Sequence, residues 1–305
     1  MSTKHWFLTL CLLSVSTFGW SQSIYERFYK ALNKDDSIAT LLIQEIRKTN
    51  DNSPDRYIAE YNYYISMSEQ SYIEIKQGEN PLSEFVITDD STGNEVGYLQ
   101  EIQVYNQEYA DSGLCVITKA IELFPTRLDL RFGKIHFLGQ LERWDDYTNE
   151  IVKTLNYQKT NKPQWVFPDV EEDNDTLMIY SILDYETALV YSILDDNDTI
   201  SFNHKTTLLR KIAEHMLELY PTDIRTLNIM AVTYQLTDEK AQALKWLKKA
   251  EKVNPKDYII LANIADTYAK LGNIKQAKKY YKKAIKYGDY DTKKYAEESL
   301  DSLGK

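Results

Sequence analysis

Glycine and proline are scarce in this chain of 305 residues, which has 10 of the first and 7 of the second. A turn-rich β fold draws heavily on both, so that class is disfavoured. Cysteine is scarcer still, with two in all. Cys11 lies in an apolar N-terminal run, and Cys115 in "GLCVITKAIELF". Without Cys11 no internal disulfide can form, and the fold must rest on its core alone. The pattern around Cys115 predicts an inert, buried thiol on an apolar helix face. What the chain has in quantity is tyrosine, at 24, with 43% hydrophobic and 27% charged residues. Large aromatics with few breakers predict long packed helices, and such a chain can offset its ordering entropy by burial, which excludes disorder.

Catalytic patterns are missing as well. The sequence has no Gly-x-Ser-x-Gly elbow, no phosphate-binding glycine loop, no Cys-x-x-Cys pair and no His-Glu-x-x-His. Apart from His5, the histidines are His136, His204 and His215, without partners at metal-ligand spacing. The acidic run from Asp169 was tested as a calcium loop. Its sixth position is Asn174 rather than glycine, and its twelfth is Tyr180 rather than a bidentate acid. The sequence therefore predicts no enzyme, no cofactor and no metal site.

The N-terminus carries a pattern of its own. Lys4 and His5 precede the apolar run "WFLTLCLLSVSTFGW", which ends beside Gly19 and Ser21. A basic start, a short apolar stretch and small residues at its end read as a secretory signal peptide over residues 1–21, cut after Ser21. The run is short for a membrane span, and Cys11, preceded by Leu10, stands in the wrong place for a lipid anchor. The expectation is a periplasmic or secreted protein with no membrane-spanning segment in the mature chain.

Further along, the chain repeats itself. "IMAVTYQLTDEKAQALKWLKKAEKVNPKD" and "ANIADTYAKLGNIKQAKKYYKKAIKYGD" place Ala231 and Ala265, Tyr234 and Tyr268, Ala243 and Ala277, Leu247 and Tyr281, and Ala250 and Ala284 at a constant separation of 34. Residues 141–157 align with residues 271–287 at an offset of 130, with Tyr147 and Thr154 where the later copy has alanine. Helical patterns also end in proline at Pro125 and Pro221. The period and the placing of small residues resemble the tetratricopeptide repeat family over residues 224–291. Asp238 departs from its pattern at the inter-helix turn, where the next copy has Gly272.

The resemblance implies an all-α fold, an α-solenoid (superhelix) of helical hairpins, whose concave face is lined by the first helix of each pair and takes peptide segments. On it, Asn263 matches a position that contacts bound peptide backbone, and Asn228 lies one place from its equivalent. Gln235, Asp266, Lys270 and His136 project from the corresponding faces.

The remaining segmentation follows from pattern and punctuation. Residues 22–79 read as a helical region, beginning with two short helices over 24–32 and 37–48. A longer helix is capped by Ser53 with Pro54 in its first turn, and carries Tyr57, Tyr61 and Tyr64 as a core stripe. Residues 80–100 hold an insertion, a β-hairpin near 84–99 around "DDSTGN". Residues 101–161 read as degenerate repeat-like helices and 162–176 as a loop bearing an exposed Trp165-Val166-Phe167. Residues 177–305 are the repeat region, with its best units at 224–257 and 258–291 and a C-terminal capping helix.

Net charge is −10, yet lysines crowd the second helices after Lys240. They are read as a solvated face, without nucleic acid as a partner. Two functions remain open. One is a non-catalytic scaffold binding a protein or peptide in the cell envelope. The other is an exported sensor for a small molecule or glycan near Trp165 and the acidic loop.

Overall fold

The computed structural model describes residues 23–303 except residues 33, 50, 79–84, 169 and 171–172. The expected signal peptide lies outside the described residues. Contacts divide the chain into two units, one up to Lys134 with Val166–Asp169, the other Ile135–Trp165 with Val170 onward.

The first unit begins with α1 (Ile24–Leu32), α2 (Asp36–Lys48) and α3 (Pro54–Ser68). Asp35 caps α2 by accepting from the N–H groups of Ser37 and Ile38, which satisfies two of the helix's free donors. Phe28, Ile43 and Ile46 are fully buried in a core these three helices share. Pro54 starts α3 as expected, but the Ser53 side chain makes no capping hydrogen bond. Tyr57 and Tyr61 are buried, and Tyr61 Oη donates to the Gly133 carbonyl at 2.8 Å.

Where the sequence reading continued the helical region to residue 79, the chain turns into a strand instead. β1 (Glu69–Gln77) pairs antiparallel with β3 (Glu95–Tyr105), which also pairs with β2 (Val86–Thr88) in the order β1-β3-β2. The insertion is thus a three-stranded sheet rather than a hairpin alone. In "EQSYIEIKQ" Ile73 and Ile75 alternate with polar residues, a pattern that fits a strand once β3 pairs with it. At the tip, Asp89 accepts from the N–H groups of Ser91 and Thr92, and Gly93 takes a φ of 69°. These hydrogen bonds, led by the Ser91 hydroxyl, lower the Asp89 carboxyl to about 2.

The sheet grows from the turn of a helical hairpin. α3 packs against α4 (Gln107–Leu123), and the Asn106 N–H donates to Ser68 O at 2.8 Å where the insertion leaves and returns. Gly113, Ile117 and Ala120 of α4 are buried and stand 130 positions before Ala243, Leu247 and Ala250. A Cβ on Gly113 would lie 3.2 Å from Tyr64 Cβ, so this is a close helix crossing that needs a small residue. Cys115, expected to be buried, is exposed on the other side of α4.

The second unit is an α-solenoid of helical hairpins, so the chain is all-α with one small sheet. α5 (Leu128–Gln140), which belongs to this unit from Ile135, and α6 (Trp144–Asn161) are followed by α7 (Asn174–Leu194), α8 (Thr199–Leu219), α9 (Ile224–Leu236), α10 (Lys240–Val253), α11 (Tyr258–Lys270), α12 (Ile274–Tyr287) and the capping helix α13 (Tyr290–Ser302). The 34-residue period carries α9 onto α11 and α10 onto α12 at both ends, and the offset of 130 carries α5 onto α11. Ala231, Ala243, Leu247 and Ala250 are fully buried, as are Ala265, Ala277 and Ala284 one period later.

The turns repeat as well. Glu142, Asp238 and Gly272 hold φ of 55°, 61° and 74°. In each hairpin their N–H donates three residues back, to Gly139, Gln235 and Ala269. The next N–H donates five back, to Leu138, Tyr234 and Tyr268. This is the left-handed helix ending that glycine adopts without strain; glutamate and aspartate hold it here because the flanking hairpin bonds are kept.

α7 is long and apolar enough to cross a membrane by length and composition alone, with 39% of its apolar window buried. Met178, Ile182, Leu189 and Ile193 are fully buried within the second unit, as expected of a core-packed helix. Among the described residues, acids that flank it serve as caps and in an ion pair. Asp173 caps α7 and Asp198 caps α8, while Asp196 pairs with Lys205 at 2.7 Å.

Candidate peptide-binding groove

Aspartates set the starts of the first helices. Asp223 caps α9 through the Thr226 N–H, and Asp257, 34 residues on, caps α11 through the Ile260 N–H. With α7 alongside, these helices leave a cavity of about 210 Å³ lined by Leu183, Asp184 and Thr187 of α7, by Ile224, Arg225, Asn228 and Ile229 of α9, and by Asp257, Ile259 and Ile260 at α11. The walls alternate aliphatic side chains with polar groups of both kinds. Arg225 and Asn228 can donate, and Asp184, Asp257 and the Asn228 carbonyl oxygen can accept. The Arg225 guanidinium sits 4.6 Å from the centre of the Tyr180 ring, which fixes it at the mouth. Burial raises the Asp184 carboxyl above its ordinary range, and Arg225 opposes that shift.

The residues singled out in the sequence fall in three places. Asn228 and Asn263 meet, the Asn263 amide donating to Asn228 Oδ1 at 2.7 Å, so successive first helices are joined across the groove wall. Gln235 donates to Thr267 Oγ1 at 2.9 Å in a second rung of that ladder. Asp266 turns away from the ladder: it accepts from Tyr281 Oη at 2.5 Å and Tyr295 Oη at 2.8 Å, tying α11 to α12 and α13. Burial and this carboxylate push the Tyr295 phenol up to about 12. Lys270 is exposed in the last turn of α11. The stripe of Asn263, Asp266 and Lys270 is therefore not a free row of contacts; two of the three hold the repeats together. His136 is half-buried on α5, and burial lowers its pKa, favouring the neutral ring.

Asp184, Arg225 and Asp257 were missed. Asp257 was within reach, since it repeats Asp223 at the 34-residue period just before a helix. Asp184 and Arg225 were not: both look like ordinary surface charges until α7 is placed beside α9.

Trp165, read as exposed, is 4% exposed. Its Nε1 donates to Gln158 Oε1 at 2.7 Å and its ring lies 5.6 Å from that of Tyr157. Phe167 packs on Phe132 with ring centres 6.3 Å apart, and Val166 forms a bridge with Arg127. No open stacking platform for a glycan is left at Trp165. Among the described residues, no three His, Cys, Asp or Glu side chains converge as a metal ion needs. Several lysines of the second helices lie against aromatic rings and acids. Lys248 and Lys283 both reach Glu251, at 2.8 and 3.0 Å, and both lie over the Tyr280 ring.

Residues 258–287 match the tetratricopeptide repeat family. No curated protein matches the chain. Solved structures with a similar fold include a thermophilic TPR protein of Thermus thermophilus, 16% identical over 64% of this chain and 92% of that one, with a TM-score of 0.41. MamA of Desulfovibrio magneticus is 10% identical over 59% of this chain and 86% of that one, at 0.38. PilF of Pseudomonas aeruginosa is 14% identical over 65% and 82%, also at 0.38. The matched residues span hairpin α11–α12. That hairpin is a tetratricopeptide repeat, and hairpin α9–α10 has the same helix bounds 34 residues earlier.

Proposed function

We propose that this protein is a non-catalytic scaffold of the cell envelope, exported with removal of residues 1–21, that binds an extended segment of a partner protein along α7, α9 and α11. The observation that carries this reading is the cavity bounded by Asp184, Arg225, Asn228 and Asp257 over an aliphatic floor of Leu183, Ile224, Ile229, Ile259 and Ile260. An extended backbone offers donors and acceptors in alternation, and this wall supplies both, with apolar space for side chains between them. The Asn228–Asn263 pair extends the polar wall toward Gln235 and Lys270. The test is binding by the isolated partner after Arg225→Ala combined with Asn228→Ala. Affinity should fall by about tenfold or more, the loss of two polar contacts, with the circular-dichroism spectrum unchanged and melting lowered only by the lost Asn228–Asn263 bond. Wild-type affinity in that double variant would remove the groove from the account. Export is tested separately by N-terminal sequencing, which should begin at Gln22; an intact Met1 in the isolated protein would contradict it.

A further inference from the structure

The sheet of the first unit has two unlike edges. β2 is three residues long and its register breaks between Ile87 and Thr88, which blunts that edge. β1 is nine residues long and pairs with β3 without interruption from Glu69↔Tyr105 to Gln77↔Gly97. Neither proline nor a bulge protects it. The Gly78 N–H donates to Val96 O and the Asn106 N–H to Ser68 O, so the even-numbered residues of β1 direct their backbone groups at β3. The N–H and C=O groups of Ser71, Ile73, Ile75 and Gln77 then point to the open edge. Beside them, Ile73 and Ile75 are 69% and 67% exposed.

The side chains of this strand say what can pair with it. Glu74 and Lys76 share one face and meet at 2.8 Å within the strand. In an antiparallel pairing of two β1 strands about an axis at Ile75, Ile75 faces its own copy, Ile73 faces Gln77, and each Glu74 faces the other copy's Lys76. The ladder uses the odd-numbered backbone groups, which among the described residues face away from β3 and meet no other strand. The Glu74–Lys76 pairs fall at the closely spaced positions, where side chains interact most. The register shifted by one step to either side sets Glu74 against Glu74 or Lys76 against Lys76, without the ion pairs. A lysine on an edge normally discourages strand addition; here a second copy brings the matching acid.

We propose that the β1 edge is a self-association surface, where two copies of this chain join antiparallel about Ile75 into one six-stranded sheet. It is independent of the groove, and either can fail without the other. The experiment is sedimentation velocity on the protein as isolated, at concentrations from about 1 to about 100 µM, where mass action separates monomer from dimer. A concentration-dependent dimer is expected. Glu74→Lys, which sets lysine against lysine, should weaken it about tenfold or more. Glu74→Lys combined with Lys76→Glu restores the complementary pairs in the same register and should return the dimer to near wild-type strength. A wild-type chain that stays monomeric throughout overturns the proposal. So does a Glu74→Lys variant that dimerises like wild type, or a charge-swapped variant as weak as the single one.

Discussion

Hairpins α5–α6 and α11–α12 share a turn and differ in what fills the space behind it. In α11–α12, Gly272 makes the turn, and fully buried Ala277 lies where the helices cross. In α5–α6, Glu142 makes the same turn, and the position of Ala277 is held by Tyr147, 2% exposed. Room for that ring comes from Gly139, at which a Cβ would lie 3.2 Å from Tyr147 Cε2. Tyr147 Oη then donates to the Tyr185 carbonyl at 2.8 Å, and its ring meets those of Trp144 and Tyr185 edge-on. The backbone pattern of the repeat thus survives a large residue at the crossing, because Gly139 makes room for it and the ring reaches on to Tyr185. A pattern search that asks only for alanine at one helix loses such a unit.

The comparison breaks most visibly at Tyr147. Tyr147→Ala restores the residue of the regular repeats, but with Gly139 opposite it leaves a void and removes the hydrogen bond to the Tyr185 carbonyl. Stability should drop by about 3–5 kcal/mol, read by urea unfolding. Next comes Ala277→Leu, which overpacks the regular crossing and should cost about 1–3 kcal/mol. Lys279→Leu, on the exposed side of the same helix, should change stability by no more than about 0.5 kcal/mol. Equal effects at 277 and 279 would mean the register is misplaced.

Between these hairpins, α7 holds a different irregularity. Glu186 is fully buried, and among the described residues neither carboxyl oxygen has a hydrogen-bond partner. Burial, with Asp223 adding to it, holds its pKa well above the carboxylate range. A group raised on folding contributes its full stability below the unfolded carboxyl pKa of about 4.3 and loses it as pH rises toward the folded value. Glu186→Met should therefore stabilise the protein, by about 1–3 kcal/mol at neutral pH, and the gain should shrink on acidification. A gain that grows toward low pH would contradict this. The smallest effect is expected at the turn: Glu142→Gly relieves a left-handed glutamate and should add about 0.5–1 kcal/mol, visible as a raised melting temperature.

The period of 34 made the units over 224–257 and 258–291 legible, because alanines at a close crossing are constraints written locally. The β1 strand was lost for a related reason. Its isoleucines follow a helix directly, and only pairing with β3, some thirty positions away, decides their state. Ser53 looked like a cap, but it makes no capping bond. In the groove, Asn228 and Asn263 were found through the repeat, whereas the tyrosine partners of Asp266 come from α12 and α13 and leave no mark near residue 266.

The central claim is that the first helices carry the binding wall, and site-specific photocrosslinking to the isolated partner tests it most directly. A photoreactive residue would replace in turn Ile229 of α9 and Ile259 of α11, which line the cavity, and Lys245 of α10 and Lys279 of α12, exposed on the second helices. The account predicts adducts at 229 and 259, mapping to one continuous segment of the partner, and none at 245 and 279. Adducts at the second-helix positions without any at 229 and 259 would contradict it.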